Sequence, residues 1–442
     1  MRIFCCYCSG TAGTIQSMLL RFRFSNFRSF RDENELSLIA GAGSNEARAV
    51  SAVPGAKESV LPACAIYGAN ASGKSNVLKA LSFVEQAVLN SHRRWEPDGP
   101  VPLQVFLSNQ PTALSEFEVD FVVQETRYRF GFKASRAEIV SEWLFAYPNG
   151  RKQEWYSRSG PAHFSFGRML PGDNKTIASL TRKNSLFLSA SAQNNHEGLL
   201  PIYGWFRKSI HFEFGNMRVP AVTTEMCSEQ QHRSQVAGLM NLADLGVVEL
   251  QVEHRGDEDK KKLRMALVAM MKALEIPEQD ASFEAPDVVR FVHRVGDTLV
   301  SFDAQDESAG TVAYFALLGP ILRALDGGSV LVIDEIDSSL HPSLLAFLVR
   351  LFCDKTSNPK GAQLIFNTHD SHLLADGVLQ RDQIWFTEKD REGVSRLYPL
   401  SDFKPRSDEN FQKRYLQGRF GAIPFIDSER ILEGLNAEAQ PR

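Results

Sequence analysis

An apolar run, Ala63 to Tyr67, leads into Gly68-Ala69-Asn70-Ala71-Ser72-Gly73-Lys74-Ser75 and then into Asn76 to Leu89, where apolar residues recur at helical spacing. Strand, glycine-rich loop and helix in that order are what a phosphate cradle requires. The glycines let the backbone curl, so that successive N–H groups and the helix N-terminus face an anion. In such a cradle Lys74 reaches the β and γ oxygens of ATP and Ser75 offers its hydroxyl to Mg2+. The pattern GxxxxGK[ST] makes Gly68, Ala69, Asn70, Ala71, Ser72, Gly73, Lys74, Ser75 and the following Asn76 candidate nucleotide contacts, with Lys74 also counted as catalytic. A chance glycine turn before Gly-Lys-Ser is the plain alternative, and the flanking strand and helix argue against it.

A second constraint is Val330-Leu331-Val332-Ile333-Asp334-Glu335. An apolar run without alternation belongs to a strand buried on both faces, hence a central one. This one ends in two acids. Asp334 is the candidate metal group beside Ser75, holding the Mg2+ shell. Glu335 is the candidate general base that orients and deprotonates the attacking water of an in-line phosphoryl transfer. Two solvated acids at a strand end are the bland alternative. A third strand, Gln363 to Thr368, delivers His369 beyond its C-terminal end, the edge where open α/β sheets bind ligands. There His369 is placed to sense the γ-phosphate and steady the water.

With 442 residues, 43% of them hydrophobic and 23% charged, the chain has material for a large core and two or three lobes. No stretch approaches the roughly 18 unbroken apolar residues of a membrane span. A net charge of −4 and a pI near 6.2 argue against a surface that is cationic throughout, while a local basic groove would be hidden in that sum. Of six cysteines, Cys5, Cys6 and Cys8 crowd the start, and Cys64, Cys227 and Cys353 lie scattered without disulfide or metal spacing, as expected of a reducing cytoplasm. The first residues could form a small metal-binding or lipid-modified end. The plainer reading makes Met18 the natural start, because Leu19 to Phe24 opens an alternating strand at once. Leu19 to Leu38 reads as two short strands around a turn, and Glu116 to Tyr147 alternates as an antiparallel sheet with one solvated face does. Thr223 to Leu274 shifts to helical spacing, with a charged patch, HRGDEDKKKLR, that fits a solvated helix start better than a DNA contact. From Val289 strands and helices alternate again, which implies a mostly parallel, helix-covered sheet.

Glu307-Ser308-Ala309-Gly310-Thr311 opens an apolar helix ahead of the 330–335 strand, and it resembles the signature motif of ABC ATPases. In that family the Ser and Gly at this helix start bind the γ-phosphate held by the opposite subunit, which makes Ser308 and Gly310 nucleotide contacts; a helix N-terminus suits that anion. Glu307 and Thr311 stand where the family has leucine and glutamine. An ordinary N-cap serine is the alternative. Asp337 to Pro342 follows where ABC ATPases place the loop that touches the partner protomer.

Asn26-Phe27-Arg28-Ser29-Phe30, the GANASGKSN loop and DEIDSSLHP resemble the SMC/RecF side of these ATPases, without the long heptads of an SMC arm. NSLFLSASAQ (184–193), ESAGT and DENFQKRYLQGRFGAIPF (408–425) are similar to the AAA/ABC-type ATPases of bacterial phage defence, the RloA and AbiL-like group. That likeness spans nearly all of residues 18–425. The resemblance implies that Gln193 is a metal-coupled glutamine and Arg28 a nucleotide contact. It implies an α/β P-loop NTPase of ABC/SMC type, with a mostly parallel sheet, an antiparallel β-lobe and a helical insertion. The corresponding division is 1–17, a disordered or wrongly assigned extension; 18–110 and 287–400, the two halves of the ATPase domain; 111–222, the β-lobe; 223–286, the helical insertion; and 401–442, a tail. It further implies an ATP-dependent homodimer, which can assemble further, working with a separate effector such as a TOPRIM, RloB-like nuclease. DNA or RNA is a conceivable ligand and a membrane is not expected. A RecF-like repair ATPase that clamps DNA is the second reading.

Overall fold

The computed structural model describes residues 17–41, 51–106, 113–215, 220–254, 256, 258, 261–262, 265–266, 268–269, 287–375, 377–406 and 409–424. Two sheets organise them. The larger is antiparallel and runs β10 (His163–Phe166), β9 (Gln153–Ser159), β8 (Ile139–Tyr147), β7 (Thr126–Ala134), β6 (Ser115–Val123), β1 (Ser17–Ser25) and β2 (Asn34–Ser37). The other runs β11 (Ile210–Glu213), β15 (Val330–Ile333), β16 (Gln363–Asn367), β5 (Ala63–Gly68), β17 (Ile384–Lys389) and β18 (Ser395–Pro399), all parallel but the last. A two-stranded ribbon, β3 (Ser51–Ala52) with β4 (Ser59–Val60), and a small antiparallel sheet, β12 (Val247–Glu253), β13 (Val288–Val295) and β14 (Thr298–Asp303), complete the strands.

The parallel sheet is apolar on both faces because both are covered. Cys64 and Ile66 of β5, with Val330, Val332 and Ile365, enter one core shared with the antiparallel sheet and with α1 (Lys74–Asn90). Ala63, Ala65 and Tyr67, with Leu331, Ile333, Leu364 and Phe366, enter the opposite core. This is the period-two alternation of a strand with two buried sides. The short helices α2 (Asn174–Leu180), α3 (Phe187–Gln193) and α4 (Leu200–Lys208) follow the β-lobe, then α5 (Ala221–Cys227) and α6 (Gln230–Leu242) precede the small sheet. α7 (Ala309–Gly327) and α8 (Pro342–Cys353) pack on the second core, and α9 (Phe411–Leu416) lies in the tail. Pro320 within α7 has no N–H for the carbonyl of Ala316, and the Thr223 hydroxyl from α5 reaches that oxygen (3.1 Å) as well as that of Phe315 (2.9 Å).

The expected α/β architecture, with its parallel sheet and antiparallel lobe, is present. The strand partners nevertheless cross the linear division drawn from sequence. β1 and β2, from the 18–110 segment, pair into the lobe through β6. β11, from the 111–222 segment, lies against β15 in the parallel sheet. Within 223–286 the structure adds a strand, β12, to the expected helices; its residues VVELQVE alternate between apolar and polar, and the surrounding helical spacing masked that period. Residues 1–16, including Cys5, Cys6 and Cys8, lie outside the described residues, as does most of the HRGDEDKKKLR patch. Cys64, Cys227 and Cys353 are buried thiols in no disulfide, and burial pushes the Cys227 pKa up to about 12.

Candidate nucleotide site

β5 ends at Gly68 and the chain turns through Ala69 to Gly73 into α1. Two glycines fix this path. A Cβ on Gly68 would come within 2.5 Å of the Thr387 carbonyl and hydroxyl oxygens, and Gly73 combines a φ of 117° with 2.7 Å to the Ser395 hydroxyl. No L side chain fits either place without moving β17 or β18. Behind the loop, the Ser72 and Thr387 hydroxyls lie 2.6 Å apart, and the Ser395 hydroxyl donates to the Ser72 carbonyl (2.7 Å). Asn70 and Ala71 form the exposed tip.

Lys74 is buried, and its ammonium donates to the carbonyl oxygens of Gly68 (2.8 Å) and Ala69 (3.1 Å). Burial lowers its pKa to about 8, against the opposing pull of Asp337, Glu335 and Asp334. Ser75 donates to the Asp334 carboxylate (2.8 Å), uniting the loop with the end of β15. At that end Glu335 adopts a left-handed backbone, φ 50°, rare for a residue with a Cβ. Its N–H donates to the side-chain oxygen of Asn367 (2.5 Å), whose amide nitrogen donates to Asp334. His369 lies just past β16, exposed, with its N–H on the Asp337 carboxylate (3.1 Å). Desolvation and the Lys74 charge lower its imidazole pKa, so it is neutral at pH 7.

The structure thus brings together Lys74, Ser75, Asp334, Glu335 and His369, residues that the sequence spreads over three strand ends. The remaining candidates stand in other relations. Ser308 is the N-cap of α7, accepting from the Thr311 N–H (3.0 Å), and is exposed at that helix start. Gly310 faces the partner-loop region of its own chain, since a Cβ there would lie 3.1 Å from the Ser339 carbonyl. Gln193 is the exposed last residue of α3. That helix is held at its other end by the buried Glu142, whose carboxylate accepts the N–H groups of Phe187 (2.7 Å) and Leu188 (3.0 Å). Arg28 sits at φ 52° in the turn after β1 with its Nε buried and without a hydrogen-bond partner among the described residues. Its neighbour Ser29 accepts from the side-chain amide of Asn76 (2.9 Å) and lies 2.8 Å from the Ser395 hydroxyl. Thr387, Ser395, Ser29 and Asn367 were not anticipated. Their types are unremarkable in sequence, and only strand adjacency gives them a place.

A cavity of about 720 Å3 lies elsewhere, between α6 and β12, lined by Arg233, Asn241 and Glu249 among others. It shares none of the groups above.

The family described as "AAA domain, putative AbiEii toxin, Type IV TA system" matches residues 64–376. The chain belongs to this AAA family. The matched span takes in the loop, both acids and His369. No curated protein matches the chain. Among solved structures it is similar to an SMC head bound to the C-terminal winged-helix domain of ScpA (14% identity, 87% of this chain and 99% of that one, TM-score 0.41). It is also similar to the SMC head of Thermotoga maritima (14%, 86% and 98%, 0.39) and to the recombination mediator RecF with ATP (12%, 88% and 100%, 0.35). Likeness of that degree is too low to carry a functional argument. No helix among the described residues is long and apolar enough to cross a membrane.

Proposed function

We propose that this AAA-family chain binds and hydrolyses Mg·ATP, in head-to-tail dimers, as the sensor or motor subunit of a phage-defence or nucleic-acid surveillance system. The observation that carries the ATPase reading is the contact between Ser75 and Asp334, which closes a phosphate loop onto a paired acid across the sheet. Mg2+ typically keeps several waters and takes one or two carboxylates plus substrate phosphates, and a serine hydroxyl beside the Asp334 carboxylate fits that demand. When bound there, the metal would neutralise charge on the phosphates.

The protein's own groups then divide the work. The backbone from Gly68 to Gly73 and the α1 N-terminus cradle the phosphates, and Lys74 exchanges its two carbonyl partners for phosphate oxygens. Glu335 orients a water in line with the γ-phosphorus and takes its proton. His369 can donate a hydrogen bond to the γ-phosphate or the water, with its backbone N–H anchored on Asp337. Ser308 and Gly310 would meet the γ-phosphate held by a second copy, and Gln193 and Arg28 would report the nucleotide to the β-lobe and the N-terminal turn. The similarity of residues 184–193, 307–311 and 408–425 to the RloA and AbiL-like group supports the defence role, with a separate TOPRIM-type nuclease as effector. A RecF-like DNA clamp is the second reading.

The test is steady-state ATP turnover with Mg2+ by the wild type and by Glu335→Gln, alongside nuclease assays with Mg2+ and Mn2+. Wild-type turnover that falls about 100-fold or more in the variant is expected, with neither DNA nor RNA cut. Equal turnover in both proteins would remove Glu335 from the mechanism, and nuclease activity that persists through purification would end the division between ATPase and effector. Duplex DNA bound more tightly in ATP with no partner present would favour the clamp.

A further inference from the structure

Asn367 is completely buried at the end of β16, and its single carboxamide serves two neighbours on the adjacent strand end. The Glu335 N–H can only donate and the Asp334 carboxylate can only accept, so the orientation of the amide is forced: oxygen to Glu335, nitrogen to Asp334. Asp334 Oδ1 receives the Ser75 hydroxyl as well, so the amide and the phosphate loop share one oxygen. The Asn367 backbone carbonyl also accepts from the Ile336 N–H (3.2 Å). Glu335, with its left-handed φ of 50°, is thus pinned on both flanks by one residue.

From this geometry we infer that Asn367 is a positioning residue that sets the two carboxylates as a unit: it aims Asp334 at the metal position and holds Glu335 in the backbone conformation that presents its side chain to the water. The inference rests on the ATPase reading above. Asparagine alone among small side chains supplies a donor and an acceptor at this spacing. Leucine supplies neither, and ionised aspartate supplies only the acceptor, placing a second carboxylate against Asp334.

The experiment compares Asn367→Leu and Asn367→Asp with the wild type: ATP affinity by calorimetry, kcat and KM between pH 6 and 9, and thermal unfolding. The expected result is a kcat lowered about 10- to 100-fold at pH 8 in both variants, with affinity within about threefold because the Gly68–Ser75 cradle is intact. A purely structural role would lower stability and affinity together, or leave kcat of the folded variants near that of the wild type. Wild-type kcat in either folded variant, or an ATP affinity that falls as far as kcat does, overturns the inference while leaving the ATPase reading standing. A wild type that does not turn over ATP removes both. Because aspartate is isosteric with asparagine, the comparison of Asn367→Asp with wild type decides the matter even where leucine does not fold.

Discussion

The loop end of the parallel sheet, proposed to hold the chain's own γ-phosphate, and the start of α7, proposed to meet that of a second copy, are built on opposite principles. At the loop end, groups distant in sequence satisfy one another: Ser75 with Asp334, Asn367 with Glu335 and Asp334, Ser395 with Ser72. At the start of α7, Ser308 bonds Thr311 three residues on and stands exposed. The first is a pocket finished within one chain. The second is a surface, a capped helix N-terminus whose remaining N–H groups and dipole suit an anion brought from outside. The contrast teaches that, under the proposed mechanism, binding and hydrolysis should be separable by mutation, since the loop end is completed by the chain itself and the α7 start is left open to a second copy.

The sharpest way to break the contrast is Lys74→Ala. It removes the one ammonium that donates to the Gly68 and Ala69 carbonyls within the cradle, and ATP affinity should fall about 100-fold or more. Calorimetry on the folded variant reads this directly, and unchanged affinity would show that the loop is not the phosphate site.

Next come Glu335→Gln and Ser308→Arg, which address the two regions separately. The first should bind ATP and stay a closed dimer, while the second should bind ATP and remain a monomer. Each should lose about 100-fold or more in turnover. Mixing them should restore activity, because a heterodimer pairs native Glu335 of one chain with native Ser308 of the other. Light scattering with and without ATP, plus turnover of the mixture, checks both. A Ser308→Arg variant that hydrolyses at the wild-type rate would mean that the site is complete in one chain.

A smaller effect should come from pH. With the Lys74 pKa near 8 in the empty protein, the ammonium is charged at pH 7 and mostly neutral at pH 9. Triphosphate raises that pKa, so affinity should weaken about tenfold between pH 7 and 9, with proton uptake on binding near pH 8. Stability of the empty protein from this group runs the other way. Its folded pKa is depressed below 10.5, the unfolded chain binds the extra proton between about 8 and 10.5, and stability should rise with pH across that window. Isothermal titration in two buffers of different ionisation heat measures the proton; no uptake near pH 8 would place Lys74 outside the contact.

The smallest change is Ser308→Asp, which sharpens the assignment of the second region. Aspartate caps a helix as well as serine does, so the melting temperature should correspond to a change within about 0.5 kcal/mol. Its negative charge would nevertheless repel a γ-phosphate, and turnover should drop. Turnover that follows stability alone would reduce Ser308 to a cap.

Legibility in the sequence followed the same divide. The strand, loop and helix around Gly68–Ser75 could be read because their residues are consecutive, and the placement of Asp334 and Glu335 at the end of a buried strand because the apolar run before them is unbroken. Asn367 could not be read: an asparagine closing a strand is ordinary, and its role exists only because β16 lies beside β15. The same holds for β1, whose alternation announced a strand but not that β6 would be its partner nearly a hundred residues on. β12 was missed because seven alternating residues sit next to helical ones. In the tail, the plain reading of its aromatic residues is packing against the sheet, and Tyr415 and Phe420 do stack on Phe386 of β17, while Gln412 lies on Ser371, just after His369.

The position of β5 has a consequence for synthesis. Its two neighbours in the sheet are β16 and β17, both made some three hundred residues after it. At ribosomal rates of about 5–20 residues per second, roughly 15–60 s pass in which the strand that carries the cradle has neither edge paired. An unpaired apolar edge is a template for wrong partners. A growing chain of this protein therefore carries an unpaired apolar strand from the time the Gly68–Ser75 loop is translated until Thr387 and Ser395 behind it are made.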